Sequence, residues 1–362
     1  MQNKIHLFLA FRLLICNFVP QMNLYIFNPE HEIALASGLS NFTAPHAGRQ
    51  LRGDLGFIAA LWATDGDAVL VDHVERAQRK WSRLRQRVGG HDVVFVTTDD
   101  LQFLSLGGIE PWGWDLALTS MLKRKGISSS LLPSADRLTL IRQLSHRRTA
   151  AQLLSLLQMD GTVGEAHECT TEHDIDMLRQ RFGQLVMKAP WSSSGRGVRF
   201  DNNMLWARNV IERQGAVMVE PFYNKVKDFG MEFTALSDGT IRYDGLSLFH
   251  TKNGAYTGNL LATEATKRRR MSRYLSLDLL DSVCDNIIAR FDTKGYTGPF
   301  GVDMMIVKGE GATTLLHPCV EINLRRTMGH VALGLQPDDD DIMRVMRVIY
   351  DGTNYQLKIQ RL

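Results

Sequence analysis

Two segments of the chain concentrate residues able to hold a divalent cation. Gly301-Val-Asp303-Met-Met-Ile-Val sets one acid in an otherwise apolar run, and Pro318-Cys-Val-Glu321-Ile-Asn323-Leu-Arg325-Arg326 sets an acid and an amide two residues apart. Alternate residues of a strand share a face, so Glu321 and Asn323 point one way while Val320, Ile322 and Leu324 point into a core. Asp303, Glu321 and Asn323 form an oxygen-only donor set, which suits Mg²⁺ or Mn²⁺. Acids in such surroundings are unfavourable without a cation. The spacing sets a condition: a tight turn at Lys308–Gly311 would leave Glu321 several residues beyond Asp303. The two meet only across a wide loop or a bulge in the second strand. Pro318 cannot donate to a strand ladder and fits best at such a break.

A basic element precedes these acids. Gln184-Leu-Val-Met-Lys188-Ala-Pro190 reads as a short buried strand ending in a lysine, running into Trp191-Ser-Ser-Ser-Gly195-Arg196-Gly197-Val198. Small residues let backbone N–H groups approach an anion closely, and Lys188 and Arg196 bring positive charge to phosphates. The spacing is neither that of a P-loop nor that of a Gly-x-Gly-x-x-Gly dinucleotide site. Between the two regions lie Ala216-Val-Met-Val-Glu220-Pro-Phe, a strand ending in an acid at a bend, and Asp228-Phe-Gly-Met-Glu232-Phe-Thr-Ala-Leu, a strand with Glu232 among apolar residues.

In this order the motifs resemble the ATP-grasp superfamily of carboxylate–amine ligases, over residues 133–335. The resemblance implies that Lys188 contacts ATP phosphates and that Ser192–Val198 closes over them, with Ser193, Ser194, Gly195, Arg196 and Gly197 in the loop. It makes Glu220 the hinge that reads the adenine edge and Glu232 the acid on the ribose hydroxyls. Asp303, Glu321 and Asn323 match the ligands of two Mg²⁺ ions. Arg325 and Arg326 both match the arginine that stabilises the reacting phosphoryl group, and alternation favours Arg325 on the metal-facing side. Where the family carries an earlier lysine, Leu144-Ser-His146-Arg147-Arg148-Thr149 offers arginine, and Arg148 stands in as the phosphate contact, a bidentate one. Lys252, in Phe249-His-Thr-Lys-Asn-Gly-Ala-Tyr, matches a further phosphate-contacting lysine.

The activity implied is an ADP-forming ligase that uses ATP with Mg²⁺ or Mn²⁺ to join a small-molecule or peptide carboxylate to an amine through an acyl phosphate. A phosphotransferase on the same fold and a non-catalytic nucleotide-binding regulator are the alternatives. The intact Asp303, Glu321, Asn323 set speaks against the regulator.

These residues need a scaffold. From Met22 strands alternate with helices: strands at Leu24–Phe27, Ala68–Val71 and Val93–Val96, helices at Gly53–Ala63, Val74–Gln86 and Leu116–Lys125. Such alternation predicts a parallel sheet and so a Rossmann-like domain over residues 22–132, ahead of an ATP-grasp domain over 133–340. The fold class expected is α/β followed by α+β. Asn28-Pro-Glu30-His31-Glu32 follows the first strand, where α/β sheets place ligands, or else caps the next helix, whose first turn favours acids. Pro111-Trp112-Gly-Trp114-Asp115 reads as packing. Leu138–Leu157 supplies helices, Met231–Ala235 and Arg242–Leu248 a strand pair, and Leu275–Arg290 a long amphipathic helix. Asp338–Tyr350 reads as a closing helix that leads into a short tail, with residues 341–362 set apart from the ATP-grasp domain.

The remaining features exclude more than they assign. A net charge of +3 is too small to imply nucleic acid, and Lys267-Arg-Arg-Arg270 reads as a solvated loop or helix end. Four scattered cysteines without a Cys-x-x-Cys pair suit a reducing, cytoplasmic setting. His167-Glu-Cys169-Thr-Thr-Glu-His173 reads as the capped start of a helix, with Thr170 or Thr171 as the cap, rather than a zinc site. Ile5–Val19 is interrupted by Arg12 and falls short of the roughly 20 residues of a membrane span. No membrane partner is expected, and residues 1–21 read as a mis-assigned leader, with Met22 the true first residue; a membrane-associating leader is the alternative.

Overall fold

The computed structural model describes residues 21–192, 197–200, 203–252 and 255–362; the leader expected at the N-terminus lies almost wholly outside them. The first domain is a parallel sheet of β1 (Met22–Ile26), β2 (Ala68–Leu70), β3 (Val94–Val96) and β4 (Leu106–Pro111), in the order β3-β2-β1-β4. Apolar runs such as Leu24–Ile26 form it because both faces are covered. Helix Val74–Val88 buries Ala77, Trp81 and Leu84 against it, and helix Leu116–Arg124 is capped by Asp115, which accepts from the Leu118 N–H. The helix expected at Gly53–Ala63 is instead the end of helix His46–Leu55 followed by a 3₁₀ segment, Gly56–Leu61. Strand order reverses between β1 and β4, so the loops after these two strands flank the switch point. Asn28 and His31 tie them together: Asn28 Nδ2 donates to the Gly113 carbonyl at 2.8 Å, and His31 Nδ1 lies 3.3 Å from Asp115.

The second domain holds two antiparallel sheets that face the site. The smaller comprises β5 (His167–Cys169), β6 (Leu185–Lys188), β7 (Val198–Arg199) and β8 (Val217–Pro221), in the order β5-β8-β6-β7. Helices Glu172–Phe182 and Met204–Gln214 pack on it through Ile175, Ala207 and Val210. Thr171 starts the first of these with a reciprocal cap to Asp174, which accounts for the His167–His173 cluster without a metal.

Strands β9 (Lys225–Ala235) and β10 (Ile241–Ser247) precede a hairpin of β11 (Phe249–Lys252) and β12 (Ala255–Leu261). After helices Glu264–Met271 and Leu277–Arg290 come β13 (Gly298–Lys308) and β14 (Thr314–Asn323). These give the larger sheet, β10-β9-β13-β14. One face carries Phe229, Met231, Phe233, Phe300, Val302 and Ile322 into the main core. Phe233 and Phe300 stack there with centroids 5.2 Å apart. Val320 is only half-buried, because it falls in an irregular stretch of β14.

Two sequence expectations fail here. Asp338–Tyr350 is no helix: β15 (Arg344–Tyr350) and β16 (Tyr355–Arg361) form a hairpin that completes a sheet β11-β12-β15-β16. Nor is the Lys267–Arg270 run simply solvated, since Lys267 is 2% exposed and donates to the Leu246 carbonyl at 2.7 Å beside Glu264 at 2.9 Å. On a helix, successive residues face different directions. Among the described residues no helix is long and apolar enough to cross a membrane.

Candidate active site

The polar face of the larger sheet is built by register. Glu232 on β9 pairs with Gly301 on β13, which pairs with Asn323 on β14. In the next such row, Gly230 pairs with Asp303 and Asp303 with Glu321. Glycine thus alternates with an acid on β9 and β13, while β14 presents Glu321 and Asn323. The condition set by the Asp303–Glu321 spacing is met by a bulge. Between Asp303↔Glu321 and Met305↔His317, two steps of β13 face four of β14, and Pro318 lies in that stretch.

Glu232 sits in a cradle that only glycine permits. A Cβ at Gly329 would lie 1.8 Å from Glu232 Oε1, and one at Gly301 would lie 2.5 Å from Oε2. His330 Nδ1 is 3.0 Å from Oε2, yet it accepts from the Thr327 backbone N–H at 3.1 Å and so has no proton to give. Glu232 Oε2 is therefore buried without a hydrogen-bond partner among the described residues, a group that a cation or hydroxyl would satisfy. Glu232, which the resemblance assigns to the ribose hydroxyls, lies on this acidic face. Thr327 and His330 were missed in the sequence; the signal was the capping pattern Thr327-Met-Gly-His330.

The crowding of acids on the face is felt at Asp303. Enclosure, then the charges of Glu321 and Glu232, raise its pKa to about 8, against the hydrogen bond from Asn323 at 3.1 Å. Burial also pushes Glu321 upward, opposed by Arg147. The Glu321 carboxylate turns to Arg147, 2.9 Å away. For that reason no three His, Cys, Asp or Glu side chains converge as a preformed cage among the described residues. The donor set fits Mg²⁺ bound by one or two carboxylates with phosphate oxygens and water completing the shell, the usual arrangement for that ion.

The arginines sort by helix and strand geometry. Arg147 and Arg148 open helix Arg147–Leu156. Arg147 points inward to Glu321, the Ala189 carbonyl at 3.0 Å and Ser192 Oγ at 3.2 Å. Arg148 points outward and is engaged by Glu168, so Arg147 replaces Arg148 as the arginine at the site. After β14, Arg325 donates from Nε to Glu32 at 2.7 Å and from a terminal nitrogen to Asn323 at 2.8 Å. Arg326 turns the other way, over the Trp62 ring at 5.0 Å, and does not join the acids.

Across from the acids, Lys188 at the end of β6 reaches both carboxylate oxygens of Glu220 on β8 at 2.6 Å, and both side chains are buried. The Gly197 carbonyl accepts from the Ala189 N–H at 2.8 Å, and a Cβ on Gly197 would lie 2.3 Å from Ser192. Ser193, Ser194, Gly195 and Arg196 lie outside the described residues. Lys252 is the last residue of β11, and its side chain also lies outside them.

Neither a protein-family model nor a curated protein matches the chain. Solved structures do. The biotin carboxylase domain of a Hydrogenobacter thermophilus 2-oxoglutarate carboxylase, determined with MgADP, ADP and bicarbonate, matches at TM-score 0.52 and 11% identity, over 91% of this chain and 75% of that one. Biotin carboxylase from Campylobacter jejuni matches at TM-score 0.47 and 11% identity, over 90% and 75% of the two chains. N5-carboxyaminoimidazole synthase from Aspergillus clavatus, with ADP and 5-aminoimidazole ribonucleotide, matches at 0.47 and 13% identity, over 91% and 82%. The first likeness shows the fold alone: this chain shares with that biotin carboxylase domain a parallel α/β domain followed by a domain of antiparallel sheets.

Proposed function

We propose that the protein is an ATP- and Mg²⁺-dependent, ADP-forming ligase that joins a carboxylate to an amine through an acyl phosphate. The observation that carries this reading is the face built by Glu232, Asp303, Glu321 and Asn323, with Arg325 fixed beside it and Arg147 and Lys188 opposite. Carboxylates are poor acyl donors, and phosphorylation supplies the leaving group that amide formation needs. A divalent cation here would offset the repulsion between an anionic nucleophile and a triphosphate.

The protein's own residues do the positioning. Lys188 and the loop Ser193, Ser194, Gly195, Arg196 and Gly197 are assigned to the phosphates, with Lys252 as a further contact and Glu220 and its backbone at the adenine edge. Arg325 keeps two of its five N–H donors free after binding Glu32, Asn323 and the Arg326 carbonyl, and these are assigned to the transferred phosphoryl group. The substrates are assigned as small-molecule or peptide carboxylates and amines. Cys169, Cys284 and Cys319 are buried free thiols, which suits a cytoplasmic setting.

Incubating the purified protein with ATP, Mg²⁺ and pooled carboxylates and amines, while following ADP and phosphate, tests the reading. Stoichiometric ADP and phosphate with a condensed product is the expected result. ADP without phosphate would make it a phosphotransferase, and tight ATP binding without turnover in any pool would make it a regulator.

A further inference from the structure

A cavity of about 550 Å³ opens between the two domains, beside the strands that carry the acids: Thr234 and Ala235 of β9, Gly298 and Pro299 of β13, and His330 line it. Its first-domain wall is Glu110–Trp114, the end of β4 and the loop after it, at the switch point of the parallel sheet. Open α/β sheets bind ligands in the crevice outside the carboxyl ends of their strands at this place. The opposite wall is the end of β9, the start of β10 and the segment leading into β13. The volume suits a small organic molecule.

The charges lining it are not equivalent. Arg137 is engaged with Thr297, and Arg242 with Asp244 and Thr234. Arg326 is different: its guanidinium makes no hydrogen bond and no ion pair among the described residues, and its Nε is fully buried. The backbone holds it there, since the Arg326 N–H donates to the Trp112 carbonyl at 2.8 Å, and the Trp62 ring supports its plane. Burial lowers its pKa, opposed first by the charge of Glu110, which lines the same cavity without an ion pair to it among the described residues. Glu110 also faces the cavity without a hydrogen bond. A planar, bidentate donor left open beside an enclosed space is matched by a carboxylate or phosphate.

We propose that this cavity binds a small polar molecule through its carboxylate or phosphate group, with Arg326 as the anion anchor. The claim goes beyond the ligase reading and does not depend on it, because the binding can be measured without nucleotide.

Titration calorimetry on the full chain tests it, with succinate and inorganic phosphate as probes and succinamide as the neutral control. Single-site saturable binding of succinate or phosphate, and none of succinamide, is expected. The preferred probe tells a carboxylate ligand from a phosphate ester. Arg326→Gln should weaken that binding at least tenfold, Arg326→Lys less so, with the affinity for fluorescent ADP–Mg²⁺ unchanged in both. If Arg326→Gln melts without cooperativity, Arg326→Lys carries the comparison. Equal anion affinity in the folded variants, no saturable binding, or competition between the anion and ADP–Mg²⁺ would each overturn the assignment.

Discussion

Arg325 and Glu32 are 293 residues apart and meet in a 2.7 Å hydrogen bond from Nε to Oε1, with both side chains largely buried. Glu32 belongs to the first turn of the helix that follows β1, so the first domain orients the guanidinium at the end of β14. Neither acid caps the helix through its side chain: Glu30 at the N-cap accepts from Arg52, and Glu32 reaches across the domain boundary. Arg325→Ala should lower ATP turnover by at least about 100-fold, the scale for one aimed electrostatic group. Glu32→Gln keeps the shape and should lose about tenfold in kcat with nucleotide affinity unchanged, since a neutral acceptor is roughly half as strong. Near-parental turnover in Arg325→Ala would remove it from the reaction.

Asp303 makes cation binding a proton-release event. With its pKa raised to about 8, it holds a proton at pH 7 that a metal ligand must lose. Calorimetry of ADP–Mg²⁺ binding in buffers of different ionisation enthalpy should show release of about one proton near pH 7, vanishing well above pH 8 and absent in Asp303→Asn. The same shift has a stability sign. A carboxyl whose folded pKa is raised favours the neutral form, so the metal-free protein should lose stability relative to Asp303→Asn as pH climbs from the ordinary Asp range toward 8. A pH-independent difference between the two melting curves would contradict the assignment.

The Lys188–Glu220 pair should show strong non-additivity. Both side chains are buried and share two 2.6 Å contacts, so Lys188→Met strands a carboxylate and should destabilise by about 3–5 kcal/mol. The double variant Lys188→Met with Glu220→Leu should recover most of that in a denaturant melt. It should nevertheless lose nucleotide binding, which separates the structural use of the pair from the functional one.

Gly329→Ala tests the cradle directly. The added carbon would sit 1.8 Å from a Glu232 oxygen, closer than any relaxation of a packed core can absorb cheaply. We expect a loss of about 1–3 kcal/mol in stability and a fall in turnover comparable to Glu232→Ala. Wild-type behaviour would show that Glu232 has room to move, and its place on the acidic face would fail.

Much of this was legible because strands are read with a period of two. The acids at 303 and 321 stand out against Val, Ile and Met neighbours, and the mismatch in their spacing requires either a wide loop or a bulge, of which the bulge is found. What stayed hidden depended on direction or on distant partners. Arg147 and Arg148 are indistinguishable in composition, and only the phase of a helix whose start was uncertain separates them. Residues 338–350 have apolar positions compatible with both periods, and the β reading needed a partner strand. The signal that favoured it was the turn sequence Asp351-Gly352-Thr-Asn354 between two β-branched runs. Glu32 carried no local sign of its partner at all.

The hairpin of β15 and β16 has a further consequence for how the molecule comes into being. Met346 and Ile359 share a core with Tyr25, Phe57 and Trp81, the Tyr355 N–H donates to Asp54 at 2.7 Å, and Arg87 donates to the Ile359 carbonyl at 2.9 Å. During synthesis the parallel sheet emerges first, yet it cannot close its own apolar surface until β15 and β16, at Arg344–Tyr350 and Tyr355–Arg361, have left the ribosome. Such distant pairings slow folding and prolong the exposure of sticky surface. The nascent first half is thus an obligate client of time, or of a chaperone, and a ribosome stalled before β16 would display a domain that is complete in sequence and unfinished in fact.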